Sequence, residues 1–268
     1  MARRKTRRSD RLLGGGTPEG TRRDRGAGLW LYGRHAVEAA LANPRREVRR
    51  LVVLDPATLV VPAGRPAPEI RDRASLGTLL PPRAVHQGLA ALVAPLPEVG
   101  VEDVCIAAAA RADAIVVVLD QVTDPQNVGA ILRSAAAFGA IAVIQQSRHA
   151  PPVTGTLAKA ASGGLEALML AEATNIARAL DDLRAAGFRT IGLDSEAPQT
   201  LAAATTSGRM ALVFGAEGTG LRRLVREGCD VLARLPTRPP VGSLNVSAAA
   251  AAALYELARG RPKVNVAP

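Results

Sequence analysis

The sequence predicts an α/β protein: a mostly parallel sheet covered by helices on both faces, preceded by a smaller α/β unit. Three observations carry that expectation. Ala114 to Leu119 is an unbroken apolar run rich in β-branched residues, as a strand buried on both faces requires. Similar short runs recur at Ile141 to Ile144, Phe188 to Leu193, Ala211 to Phe214 and Val231 to Leu235, separated by helical stretches such as Ile176 to Ala186. Pro95-Leu96-Pro97-Glu98-Val99-Gly100 brackets a change of pattern with two prolines and a glycine, as a linker does.

The elements follow in chain order. Residues 1–28 read as a basic, disordered tail, because charge, Gly and Pro dominate and no hydrophobic period appears. From Leu29, the segment Trp30-Leu31-Tyr32-Gly33 leads into a helical pattern through Val37, Ala40 and Leu41, stopped by Asn43-Pro44. A strand is expected at Val48 to Leu54, an irregular Pro-rich stretch from Pro62 to Pro82, and a second strand at Leu89 to Val93. Residues 29–95 therefore form the small unit, 96–112 the linker and 113–268 the second domain. In that domain Val128 to Phe138 has helical spacing closed by Gly139. An alanine-rich last helix, from about Ser243 to Ala258, offers Leu254 and Leu257 to the core.

Composition narrows the partner. The chain of 268 residues carries a net charge of +10, which favours a polyanion through phosphate neutralisation and counterion release. Before residue 27, nine basic residues (Arg3, Arg4, Lys5, Arg7, Arg8, Arg11, Arg22, Arg23 and Arg25) face only Asp10, Glu19 and Asp24. That short stretch thus supplies most of the excess, and it reads equally as a solubilising arm or as an RNA-binding arm. Aromatic content of 2% rules out base stacking as the main mode of nucleic-acid binding. Cys105 and Cys229 belong to no CxxC or Cys/His cluster, so neither a disulfide framework nor a metal site is expected, and a reducing cytoplasm fits. The N-terminus lacks an apolar signal core and no run of 18 apolar residues occurs, which argues against secretion and membrane spanning.

Three segments could carry chemistry. Asp120-Gln121-Val122-Thr123-Asp124-Pro125-Gln126-Asn127-Val128-Gly129 follows the predicted strand, where open α/β sheets place their sites. Asp124-Pro125 is an ordinary turn initiator and Asn127 an ordinary helix N-cap. Arg133 is different: it lies two turns into an Ala/Ile/Leu-rich helix, where a guanidinium needs an anion, a carboxylate or solvent. The second segment, Phe214-Gly215-Ala216-Glu217-Gly218-Thr219-Gly220-Leu221, again follows a strand, and its glycines allow backbone to approach a ligand. It is neither a P-loop nor a dinucleotide fingerprint, and by itself Glu217 reads as a salt-bridge partner or a cap of the following helix. The third runs from Leu235-Pro236 to Val241-Gly242-Ser243-Leu244-Asn245-Val246-Ser247, with Ser243 expected as N-cap of the last helix and Asn245 exposed in its first turn. A nucleophile elbow fails because Asn245 stands at its second glycine position, and the three histidines form no evident triad.

Together, in this order and each after a strand, the three segments resemble the three motifs of the SpoU/TrmH family of RNA ribose 2'-O-methyltransferases. The resemblance spans about Ala112 to Arg259. Tyr32-Gly33-Arg34-His35-Ala36-Val37-Glu38-Ala39-Ala40-Leu41 and His86-Gln87-Gly88 resemble the family's N-terminal substrate-binding domain, which has a ribosomal-protein-like α/β fold.

The resemblance implies a SPOUT domain whose C-terminal segment threads a trefoil knot, a rare exception to unknotted topology. It further implies S-adenosylmethionine as methyl donor, a homodimer and an RNA substrate. The two-domain form is similar to members that modify a guanosine of 23S rRNA; tRNA methylation by the same chemistry and a noncatalytic ribosome-assembly role remain the alternatives. By motif position, Asn127, Arg133, Glu217, Ser243 and Asn245 are the implied catalytic set, and Gly215, Gly220, Leu235 and Leu244 the implied cofactor contacts. Two departures stand out: Leu235-Pro236-Thr237-Arg238-Pro239-Pro240 carries more proline and a charge than the motif usually has, and Pro62 to Pro82 is irregular.

Overall fold

The computed structural model describes residues 28–240 and 242–259; the basic tail expected over residues 1–28 lies outside this range except for Gly28. The first unit is a mixed four-stranded sheet ordered β1-β4-β2-β3. It runs β1 (Leu29–Tyr32), α1 (Arg34–Ala42), β2 (Val48–Val53), β3 (Pro68–Ile70), α2 (Arg73–Thr78) and β4 (Leu89–Val93). Strand β4 pairs antiparallel with both β1 and β2, and β2 pairs parallel with β3. The Pro62–Pro82 stretch is more ordered than its prolines suggest. Asp72 caps α2 through a bond from the Ser75 amide, and Pro68 opens the short edge strand β3, the position where a missing N–H costs least.

The second unit begins inside the expected linker. Residues 96–112 contain helix α3 (Val101–Ala109), whose first turn carries Glu102 and Asp103 and which buries Val104 and Ala108. Beyond it lie β5 (Ala114–Asp120), α4 (Pro125–Ala137), β6 (Ala142–Gln146), α5 (Gly155–Ala161), α6 (Gly164–Ala167), β7 (Met169–Ala173), α7 (Ile176–Ala185) and β8 (Arg189–Leu193). The chain ends with α8 (Leu201–Ala204), β9 (Arg209–Gly215), α9 (Arg223–Glu227), β10 (Val231–Ala233) and α10 (Val246–Arg259). All neighbours in this six-stranded sheet, ordered β10-β8-β9-β5-β6-β7, are parallel.

Every residue of β5 is buried because helices cover both faces. Val116 and Val118 pack towards α3 and α7, whereas Ile115, Val117 and Leu119 join the core shared with α4, α5 and α10. Leu254 and Leu257 anchor α10 in that second core, each contributing roughly 1.5–3 kcal/mol by burial. The expected start of the last helix is corrected: α10 begins at Val246, because the Asn245 side-chain oxygen accepts from the Ser247 amide at 2.9 Å and so caps it. Ser243 stays upstream in the loop. The first-motif helix is corrected too: Asp124 is its cap, accepting from Gln126 and Asn127, with Pro125 preset in the first turn.

The two units are packed directly on each other. Helix α5 lies between β1 and α4. A Cβ on Gly155 would stand 2.6 Å from the Tyr32 ring, and one on Gly129 would stand 2.7 Å from the Leu157 carbonyl. Tyr32 and Thr156 share a hydroxyl hydrogen bond of 3.0 Å across the same contact. Such backbone-to-backbone proximity leaves no room for a side chain. Gly129→Val should therefore destabilise the protein by about 1–3 kcal/mol in urea unfolding. By contrast Gly77→Ala, in a helix with open space at its Cβ, should stabilise it by about 0.5–1 kcal/mol.

Candidate functional site

The carboxyl ends of β5, β8 and β9 lie at one edge of the sheet, and the strand order reverses there: β6 and β7 extend the sheet on one side of β5, whereas β9, β8 and β10 lie on the other. Open parallel sheets bind ligands at such a switch point. The loop after β9 is built for close approach. A Cβ on Gly215 would collide with the Gly220 carbonyl, and Gly218 and Gly220 take φ values of 82° and 66°, the region glycine enters without penalty. The Gly220 amide closes the loop onto the Ala216 carbonyl at 2.9 Å.

A buried acid anchors this loop. Asp120, fully buried at the end of β5, accepts from the Arg222 amide at 2.9 Å and from its guanidinium Nε at 2.7 Å. The first and second segments are thereby tied at the start of α9. That role could have been suspected from an acid ending an otherwise apolar strand, a pattern that demands a partner.

The three segments then meet at one carboxylate oxygen. Glu217 Oε1 accepts from Asn127 Nδ2 at 3.2 Å, from Asn245 Nδ2 and from the Val246 amide at 3.3 Å. Asn245 Nδ2 also donates to Asn127 Oδ1 at 3.1 Å. Among the described residues Glu217 makes no ion pair, and it does not cap α9, the helix that follows it; instead it sits on the amino end of α10, where a carboxylate satisfies an orphan N–H and complements the helix dipole.

Beside this network lies a cleft of about 530 Å³. Gly215, Gly220, Leu235 and Leu244 all line it, together with Glu217, Ser243 and Asn245. Asn127 and Arg133 are not among its walls. Arg133 is exposed on α4, six residues beyond Asn127, and within the described residues its guanidinium has no hydrogen-bond or ion-pair partner. Ser243 is exposed on the loop before α10. Asp194 and Arg226, which the motifs do not flag, pair at 3.0 Å on the cleft wall; Asp194 directly follows β8, the one positional signal available.

Other reactive groups do not compete. Burial first, and the nearby Asp230 second, push the Cys229 thiol up to about 12, so it stays protonated and non-nucleophilic at neutral pH. Among the described residues no group of three His, Cys, Asp or Glu side chains could hold a metal ion, and no helix is long and apolar enough to cross a membrane.

Residues 114–255 match the model of the SpoU rRNA Methylase family, and residues 30–99 match that of RNA 2'-O ribose methyltransferase substrate binding. The chain is 39% identical over 246 residues to the 23S rRNA (guanosine-2'-O-)-methyltransferase RlmB of Pseudomonas aeruginosa, covering 86% of this chain and 96% of that protein. It is 36% identical over 247 residues to the RlmB of Photobacterium profundum, covering 86% and 97%. In fold it is similar to the AdoMet-bound rRNA methyltransferase from Sinorhizobium meliloti, with a TM-score of 0.75, 24% identity and 90% of each chain covered. The SpoU methyltransferase AviRb from Streptomyces viridochromogenes superposes with a TM-score of 0.73 at 24% identity, over 90% of this chain and 94% of that one.

Replacing Asp120 by Ala removes the acceptor of the Arg222 amide and guanidinium. A loss of about 1.5–3 kcal/mol is expected in urea unfolding, with faster amide exchange over residues 215–221.

Proposed function

The chain belongs to the SpoU rRNA methylase family, and on that premise we propose that it transfers a methyl group from S-adenosylmethionine to the ribose 2'-hydroxyl of a guanosine in 23S rRNA. The observation that carries the reading is the joining of the three motif segments at Glu217 Oε1 beside a cleft at the switch point of the sheet. The relatives named as 23S rRNA guanosine methyltransferases, matched across nearly their whole length, support the substrate.

The cleft suits the methyl donor. Its volume falls within the roughly 300–1,000 Å³ of small-molecule sites. Gly218 and Gly242 leave open space where side chains would otherwise stand, so backbone can meet a flat base and a ribose. Gly215, Gly220, Leu235 and Leu244 hold the cofactor in this reading, largely through backbone groups. When bound, S-adenosylmethionine supplies an electrophilic methyl group on a sulfonium.

The remaining work falls to side chains. A ribose hydroxyl is a weak nucleophile, and holding it in line with the acceptor carbon is the main source of rate, on the order of 7–11 kcal/mol in favourable cases. Glu217 fixes the amides of Asn127 and Asn245, and Asn127 and Ser243 orient the ribose. Arg133 donates hydrogen bonds to the 2'-oxygen as negative charge develops there and to the adjacent phosphate. Arginine keeps its proton in proteins, so its role is electrostatic rather than that of a base, and the hydroxyl proton is released to solvent water as the methyl group is transferred from sulfur to the 2'-oxygen. Among the described residues nothing engages its guanidinium, which leaves the charge available to the substrate.

Residues 29–95 serve as the RNA substrate-binding unit and residues 113–268 as the methyltransferase unit, with the basic arm of residues 1–28 adding nonspecific phosphate attraction. The same reading includes the family's homodimer, its C-terminal trefoil knot and a cytoplasmic location.

Incubation with labelled S-adenosylmethionine and unmodified 23S rRNA should give one alkali-resistant linkage at a guanosine, and none in bulk tRNA. A site in tRNA alone would overturn the substrate, and incorporation into neither would overturn the enzyme. Arg133→Ala should cut turnover by at least about 100-fold while cofactor affinity, followed by calorimetry, stays near that of the wild type; unchanged turnover would remove Arg133 from the mechanism.

A further inference from the structure

One buried ion pair takes no part in this chemistry. Glu166, in α6 of the second unit, is 8% exposed, and Arg46, between α1 and β2 of the first, is 2% exposed. Arg46 grips both carboxylate oxygens: Nε lies 3.1 Å from each, and a terminal nitrogen is 2.6 Å from Oε1. Asn43 donates to Oε2 at 2.8 Å, and the other Arg46 terminal nitrogen reaches the Ala94 carbonyl at 2.7 Å. Arg65 locks the same turn by donating to the carbonyls of Leu41, Arg46 and Asn43. A well-packed apolar pair would often serve stability as well as a buried ion pair does; what a bidentate fork adds is a fixed direction and register.

That direction ends at Arg133. Two residues before Glu166, Gly164 rests on the helix α4 backbone, where an added Cβ would stand 2.6 Å from the Leu132 carbonyl and 3.1 Å from the Arg133 amide nitrogen. The turn just before α6 touches the first unit as well, since a Cβ on Gly163 would be 3.2 Å from that of Ala39 in α1. Helix α6 is therefore a four-residue spacer, clamped on one side by Arg46 and Asn43 and in backbone contact on the other with the turn that carries Arg133.

We propose that Glu166 and Arg46 are positioning residues for the methyl-transfer step: by fixing α6 they set the Arg133 backbone relative to RNA held by the first unit. This rests on the function proposed above. The ribose is presented by one unit and its activating cation by the other, so the register between units acts on the chemical step rather than on RNA capture. A shift on the scale of 1 Å suffices to cost on the order of 100-fold in rate.

Two variants of the full chain test it. Arg46→Met combined with Glu166→Leu removes both charges together and leaves neither buried alone. Gly164→Ala keeps the pair and pushes a methyl group between α6 and α4. Each should lower kcat on an rRNA fragment by about 10- to 100-fold, with KM for RNA and the dissociation constant of S-adenosylmethionine within about threefold of wild type. In both, amides over residues 130–137 should exchange faster with solvent deuterium, while those of β5 do not change. Wild-type kcat in both variants, a loss confined to KM, or unaltered exchange in α4 would overturn the proposal. Failure of the wild-type protein to methylate any RNA would count against the enzyme reading alone, and the exchange measurement would still decide the coupling.

Discussion

A single carboxylate oxygen holds the site together. Glu217 Oε1, in the loop after β9, receives three N–H groups from residues up to 90 positions away in sequence: one from Asn127 in the first turn of α4 and two from Asn245 and Val246 at the amino end of α10. Each of these segments would be floppy by itself, because glycine and proline dominate two of them. Their mutual alignment depends on one carboxylate acceptor placed at the amino end of α10, where it also complements the helix dipole. Asp120 supplies the matching constraint underneath, binding the end of β5 to the start of α9.

The scaffold behind the site buries few aromatic side chains, among them Tyr32, Phe188 and Phe214. Small residues let helices touch at backbone distance, as at Gly129, Gly155 and Gly164. Arginines close the exposed ends of elements by donating to several carbonyls at once: Arg65 at the α1–β2 turn, Arg209 at the amino edge of the sheet, Arg234 beside β10. These three guanidinium groups are therefore engaged by the fold rather than offered to nucleic acid. Arg133, exposed on α4, closes no element end in this way.

The sequence made the catalytic half of the molecule legible wherever function and local physics coincide. The β-branched run of β5, the helix after Asp124-Pro125 and the glycine loop after β9 each carry a local signature, and their order carried the family. What escaped depends on contacts between distant residues. No local rule says that Asn245 rather than Ser243 caps α10, since both residue types cap well; Glu217 decides it by taking the Val246 amide. Likewise Asp72 and Ser75 turn a proline-rich stretch into a helix, and α3 forms where a linker was expected because Val104 and Ala108 find the face of the sheet beside α7. The Arg46–Glu166 pair, 120 residues apart in sequence, has no signature short of the fold itself.

Catalysis at this site requires the three segments to act as one unit. The most direct measurement is a double-mutant cycle on methyl-transfer rate, comparing Asn127→Ala, Asn245→Ala and the two combined. If Glu217 aligns both amides in a single constellation, either substitution breaks it, and the double variant should be no more than about threefold slower than the worse single one. Rate losses that multiply would show two independent contributions and contradict the shared network as the organising constraint of the site.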